Sequence, residues 1–491
     1  MPTTPYLGMY VHMHWSYGRP YAARTWTLGD WRGYLSGLKA LGYNMVTIWP
    51  VTDTMPDPLT ASDRAHLRKI GQVVDMLHGE FGMAAMVTAG PNCMGNEVAA
   101  QYTFEDRPFF KTELRVNPAD PGELERLLDF RRRILQEFLP TVDGLVVIDS
   151  DPGGYIGSTN AEFANLLWRH LDVLEAANPA ATLYYWMWMG WERYNRYWAW
   201  VQGMDVSGIP EKDDCSEVLA RLVEQPHRRW ALMSCNDNHH PLIAKFGVGG
   251  RTLYNPYGTV EMEPAIPLTN CAPAAIAQAL ALPAWRTMRH GTMANSQTHI
   301  AQLPHTYLYA HFARGGTPET ADLRGFGDGL LPGHGALLAE VWNAIGGDDT
   351  GRQRRMAGAV AAAAATAGPL PTGPYSGLLF GDARRYLTDL AMMLEFRADM
   401  LDFARAAGDA QAWRPALARL HGSWSAWQRR TAFNDYFLGP VDEVLYKPLK
   451  ALQRPELDPI LADMHDWKLI AGRHGILTRL LDAIGEVVGA V

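Results

Sequence analysis

The chain has 491 residues, 47% hydrophobic and 20% charged, which excludes disordered and fibrous architectures. Lys and Arg number 44 against 52 Asp and Glu, for a net charge of −8 without a long basic run, so nucleic acid is not an expected partner. The four cysteines, Cys93, Cys215, Cys235 and Cys271, form no CxxC pair, so no disulfide framework or zinc knuckle is expected.

The N-terminal residues lack a basic region leading into an apolar stretch, and no apolar run reaches about 18 residues, so the expectation is a cytoplasmic chain without a membrane partner. Apolar runs then alternate with helical patterns in chain order. Tyr6–Met13 predicts a strand, Thr27–Leu41 a helix, 44–50 a strand and 61–81 a helix. A strand at 83–89 is followed by a helix at 121–139 with a basic face at Arg131, Arg132 and Arg133. Next come a strand at 144–149, a helix at 160–177 and a strand at 182–189. A helix at 215–224, strands at 229–234 and 251–254, a helix at 274–282 and a strand near 289–293 complete the series. Eight such units predict a (β/α)8 barrel over residues 5–335. A doubly wound open sheet would need a Gly-rich phosphate loop after the first strand, and His12-Met13-His14-Trp15 stands there instead. Helical patterns at 336–345, 353–365, 382–407, 413–430 and 455–488 predict an all-helical domain over 336–491.

In such barrels the active site is built from the C-terminal ends of the strands and the loops after them. Collecting polar and aromatic residues there gives His12, His14 and Trp15 from strand one, Trp49 from strand two and Asn92 from strand three. Strand four gives Asp149 and Asp151, and strand five Trp186, Trp188, Trp191 and Glu192. Strand six gives Asn236, Asp237 and His239; strand seven Tyr254, Glu261 and Glu263; the last region Asn295, Gln297 and His299. Carboxylates mixed with aromatic rings suit a sugar, whose C–H face stacks on rings while acids, amides and histidines bind its hydroxyls. Asp149 and Asp151 carry the sharpest signal. Two apart on a strand, they are expected to face the barrel mouth together, which would raise the pKa of one. His-x-His at strand one is also the entrance motif of metal-dependent amidohydrolases. Strand five lacks the expected His and strand eight the expected Asp, so no catalytic metal is expected.

Val146-Val147-Ile148-Asp149-Ser150-Asp151-Pro152-Gly153-Gly154-Tyr155-Ile156-Gly157 and the Trp-rich strand after it resemble the corresponding region of microbial α-glucuronidases. The segment Met293-Ala294-Asn295-Ser296-Gln297-Thr298-His299 is similar in placement to an Asn-bearing last unit of related barrel hexosaminidases. The resemblance implies that Asp151 protonates a leaving group and that Asp237 with Glu261 or Glu263 matches the general-base pair. It also implies a Lys or Arg cluster for a substrate carboxylate, for which Arg19, Arg193 and Arg196 are candidates.

The expected function is a glycoside hydrolase acting from the end of short oligosaccharides or glycosides, with Asp151 as general acid and Asp237 or Glu261 as base. Asp149, too close along the chain to oppose Asp151, would tune it or hold a sugar hydroxyl or N-acetyl group. No organic cofactor is implied, and homo-oligomerisation is left open. The alternatives are an amidohydrolase-type metal hydrolase using His12, His14 and His239, and a non-catalytic carbohydrate-binding barrel.

Overall fold

The computed structural model describes the chain apart from residues 1–4, 14–21, 108–111, 151, 202, 210, 212–213, 235–236, 257–272, 282–286, 297–298, 369–371, 432–441, 466–475 and 490–491. The chain divides into two compact units. One comprises residues 1–14, 42–257 and 278–295, the other residues 15–41, 258–277 and 296–491.

The first unit holds the strands β1 (Tyr6–Val11), β2 (Met45–Ile48), β3 (Ala84–Ala89), β4 (Cys93–Gly95), β5 (Glu113–Arg115), β6 (Gly144–Ile148), β7 (Thr182–Met187), β8 (Trp230–Ser234), β9 (Thr252–Tyr254) and β10 (Gly291–Ser296). Eight of them close in the order β1-β10-β9-β8-β7-β6-β3-β2, and the described ladders of this barrel are parallel. This is the expected (β/α)8 barrel, and a helical C-terminal region follows it. The short antiparallel pair β4–β5 was not foreseen, because three-residue strands are too short to show a periodicity.

Alternation along the paired strands fixes which side chains fill the lumen. Tyr10 pairs with Thr47, Ile148 with Trp186, and Trp186 with Met233, so these residues share the inner face. Large and small side chains interlock there. A Cβ on Gly144 would lie 2.8 Å from the Tyr184 ring and 3.0 Å from the Thr182 carbonyl oxygen; one on Gly8 would overlap Met45. At the N-terminal end Tyr184 Oη lies 2.8 Å from His290 Nε2, and Tyr6 meets the same imidazole edge-on at 5.3 Å.

The helices begin where the sequence supplies caps. Helix α1 (Leu28–Ala40), α2 (Ala61–Met76), α3 (Pro121–Leu135) and α4 (Asn160–Ala177) start after Thr27, Thr60, Asp120 and Thr159. Three of those starts are reciprocal capping boxes closed by Asp30, Asp63 and Glu162. Helix α3 stops four residues short of the predicted Leu139. Helix α5 (Trp191–Val201) is new: Trp191 and Glu192 were expected at the end of a strand, with no helix after them. Then come α6 (Asp214–Val223), α7 (His240–Lys245) and α8 (Pro273–Ala281).

The second unit contains α1 and a helical series: α9 (His299–Ala313), α10 (Leu323–Leu330), α11 (Gly335–Ile345), α12 (Thr350–Thr366), α13 (Ala383–Ala406) and α14 (Trp413–Thr431). After α15 (Lys447–Ala451), the predicted 455–488 helix is described as α16 (Asp458–His465) and α17 (Ile476–Val488), with 466–475 outside the described residues. Trp26 and Tyr34, beside and on α1, pack against Phe380 at 4.8 and 6.2 Å. No helix of the described residues is long and apolar enough to cross a membrane.

The interlocked lumen gives a direct test. Gly144→Ala adds one methyl where a ring and a carbonyl already stand, so overpacking should destabilise the fold by roughly 1–3 kcal/mol. Chemical denaturation of the two proteins should show it; an unchanged midpoint would mean the wall is loosely packed.

Candidate active site at the C-terminal mouth of the barrel

The loops after β2 and β3 are tied together by a buried ion pair. Arg131 was expected on an exposed basic face with Arg132 and Arg133, but its side chain is 0% exposed, as is that of Asp53. Its guanidinium donates to Asp53 Oδ1 at 3.0 Å, to the carbonyls of Gly90 and Cys93 at 2.9 and 2.7 Å, and to Thr52 Oγ1. Asp53 also accepts from Gly90 N at 2.8 Å and from the Trp49 indole N–H at 2.7 Å. Consecutive residues on a helix point about 100° apart, so Arg131 lies on the inner side of α3 while Arg132 and Arg133 face out. Val51 adopts a left-handed conformation (φ 56°, ψ 43°) in this loop, a strained state for a β-branched residue that the surrounding bonds enforce.

Asp149 does not face the mouth. Ile148 occupies the lumen side, so the next residue points to the helix layer. There Asp149, 0% exposed, accepts from Tyr185 Oη at 2.9 Å, Trp188 N and Met189 N at 3.1 Å and Gly190 N at 3.0 Å. Desolvation pushes its pKa up to about 6 against the pull of these donors. The carboxylate thus fixes the turn that carries Trp188 from β7 into α5. A polar chain continues from it behind the barrel wall. Tyr185 Oη lies 3.7 Å from Cys215 Sγ, which lies 3.8 Å from His239 Nε2, and His239 Nδ1 is 3.1 Å from Ser234 Oγ. Burial, then the charge of Arg193, brings the His239 pKa down to about 4.

Other predicted residues also serve as ties between segments. Asn92 Nδ2 donates to the carbonyls of Val116 and Gly154 at 2.7 and 3.1 Å. Trp191 is fully buried, stacks on Phe163 at 4.8 Å and donates to Ser158 Oγ at 3.0 Å. Tyr254 faces the helix layer, with its Oη 3.5 Å from the Ala279 carbonyl oxygen.

A second group does share the lumen. His12 meets Tyr10 edge-on at 4.5 Å and Trp49 at 5.6 Å. The Trp186 ring stands against Tyr10 at 4.9 Å and Trp188 at 6.3 Å. Burial holds the His12 pKa well below the usual imidazole value, so it is neutral near pH 7. Asn295 lies on the same face at β10, one strand from Asn255, which sequence reading missed although it directly follows Tyr254. Thr47 and Thr88, also unforeseen, line the lumen from β2 and β3. A single polar residue inside an apolar strand was the available signal.

His14, Trp15, Asp151, Asn236, Glu261, Glu263 and Gln297 lie outside the described residues, as does the side chain of Asp237. Among the described residues no group of three His, Cys, Asp or Glu side chains is placed to hold a metal ion.

No protein-family model matches the chain, and no curated protein matches it. Among solved structures it is similar to that of CpGH84B, at 10% identity, covering 92% of this chain and 77% of that chain with a TM-score of 0.44. It is also similar to GH5_18 from Streptomyces cattleya in complex with GlcNAc, at 13% identity over 72% of this chain and 92% of that one, TM-score 0.39. A third is morphinone reductase in complex with tetrahydroNAD, at 12% identity over 62% and 86% of the two chains, TM-score 0.37.

The raised pKa of Asp149 has a signed consequence. Because the folded state holds the proton more tightly than the unfolded chain, this residue's contribution to stability falls as pH rises from about 3.8 to about 6 and is level above that. Asp149→Asn should be less stable than the wild type, since its amide nitrogen must oppose a backbone N–H. That deficit should shrink by about 2 kcal/mol between pH 4.5 and 7.5, because only the wild type loses stability over that window. Urea unfolding at both pH values measures it, and a deficit that widens with pH would reject the assignment.

Proposed function

We propose that the protein is a glycoside hydrolase with its sugar-binding site in the C-terminal half of the barrel lumen. The observation that carries this reading is the pairing of neutral polar groups, Thr47, Thr88, Asn255 and Asn295, with the rings of Tyr10, His12, Trp186 and Trp188 on one inner face. Aromatic walls and convergent hydrogen-bonding groups in a concave site are what a polyhydroxylated ring requires. Tyr6, Tyr184 and His290 pack the far end of the lumen, so a ligand enters from the C-terminal mouth. Exo action on short oligosaccharides or glycosides is part of the proposal.

Asp151 is the proposed general acid. It follows β6 in the chain, in the loop whose far side Asn92 holds at Gly154. Asp149 itself is assigned a positioning role, since all its bonds run to the β7–α5 turn and its Tyr185 support. Asp237, after β8, and Glu261, after β9, are the proposed bases. They follow strands two and three places from β6 around the barrel, and the proposed pair is an inverting one, for which the carboxylates would stand about 6.5–9.5 Å apart.

A screen of aryl glycosides, with product anomers followed by NMR, tests the reading and separates a hydrolase from a sugar-binding barrel without turnover. Asp151→Asn should lower turnover of substrates with poor leaving groups by roughly 10²–10⁴-fold, with a smaller loss on activated aryl glycosides. Equal losses on both would argue against an acid role, and near-normal activity on both would end it.

A further inference from the structure

The lumen wall contains polar groups that the protein leaves without partners. Leu253 pairs with Gly291, so Asn255 and Asn295, two and four residues further on, share the inner face on adjacent strands. Each is 1% exposed, and among the described residues neither amide has a hydrogen-bond partner at its oxygen or its nitrogen. The Trp186 indole N–H and the Thr47 and Thr88 hydroxyls are buried on that face in the same condition. Buried polar groups are almost always paired, and each left unpaired costs stability, so such a cluster needs an explanation beyond packing.

Its chemistry is uniform. Amides, hydroxyls and an indole N–H are neutral, and the imidazole of His12 beside them is neutral too. Among the described residues, two charged groups at this end of the barrel are engaged elsewhere: Arg131 with Asp53, and Asp149 on the outer side of β6. A sugar hydroxyl donates and accepts at once, which is what an amide beside another amide can answer on both sides. A carboxylate brought to the same wall would exchange its hydration for neutral donors alone.

We propose that this part of the lumen is a subsite for an uncharged pyranose, read through its hydroxyls by Asn255 and Asn295, and that it discriminates against uronic acids. The proposal rests on the glycoside-hydrolase reading and gives it a substrate class, the opposite of the one the α-glucuronidase resemblance implies.

Nitrophenyl glycosides of neutral hexoses and pentoses, compared with nitrophenyl glucuronides, are the first test. The best neutral substrate should exceed the best glucuronide by at least about 10² in kcat/KM, given what a site built for hydroxyls can discriminate. Preference for a glucuronide overturns the proposal. Asn255→Leu and Asn295→Leu keep similar volume and remove the orphaned amide. The melting temperature should hold or rise while kcat/KM on the best neutral glycoside falls at least about 10²-fold. A lowered melting temperature with unchanged specific activity of the folded fraction would make the amides structural and overturn it. If no glycoside is turned over, the hydrolase reading fails by itself. Saturation-transfer NMR with free glucose, galactose, mannose, xylose and glucuronate then decides the subsite. A neutral-sugar signal lost in Asn295→Leu supports it; a signal from glucuronate alone, or from no sugar, overturns it.

Discussion

A carboxylate stripped of water survives in a protein interior only if donors surround it, and the C-terminal end of this barrel is organised around two that meet the condition in different ways. Asp53 is neutralised by a cation, Arg131, whose remaining donors fasten the carbonyls of the β3 loop. Removing one partner of such a pair typically costs about 3–5 kcal/mol, because the other charge is left buried alone. Asp149 is met instead by three backbone N–H groups and a tyrosine, and desolvation outweighs their pull, so its proton affinity rises. Between them they set the loops after β2, β3 and β7, and so the rim on which any ligand must be received.

Much of the fold was legible because the strands are buried on both faces and read as apolar runs, while Thr27, Thr60 and Thr159 mark helix starts through their reciprocal partners three residues on. What stayed hidden was shorter than a period or contrary to composition. The β4–β5 pair has three residues a side, and α5 is built from Trp and Tyr that suggest sugar-stacking rings before they suggest a helix.

The site was legible by position along the chain but not by direction. Listing residues at strand ends found Asp149 and Tyr254 together with His12, Trp186 and Asn295, yet a period-two strand sends neighbours to opposite sides. Only the register separates them: the first two look into the helix layer and the others into the lumen. The same parity explains why Asn255 was passed over in favour of Tyr254. A tyrosine attracts attention in a sequence, while the asparagine after it holds the lumen position.

The discontinuity of the helical unit bears on how the chain is made. Helix α1 emerges among the first forty residues, but Trp26 and Tyr34 pack on Phe380, and Gly33 lies against the backbone of Gly377. At 5–20 residues per second, synthesis reaches that partner segment roughly 20–70 s after α1 has left the ribosome. During this interval an amphipathic helix with two large aromatic side chains has no native surface to cover it. The barrel waits as well, since β1 closes only against β10 near residue 291. Both units therefore complete late, the helical one roughly 10–40 s after the barrel because it runs on to residue 491.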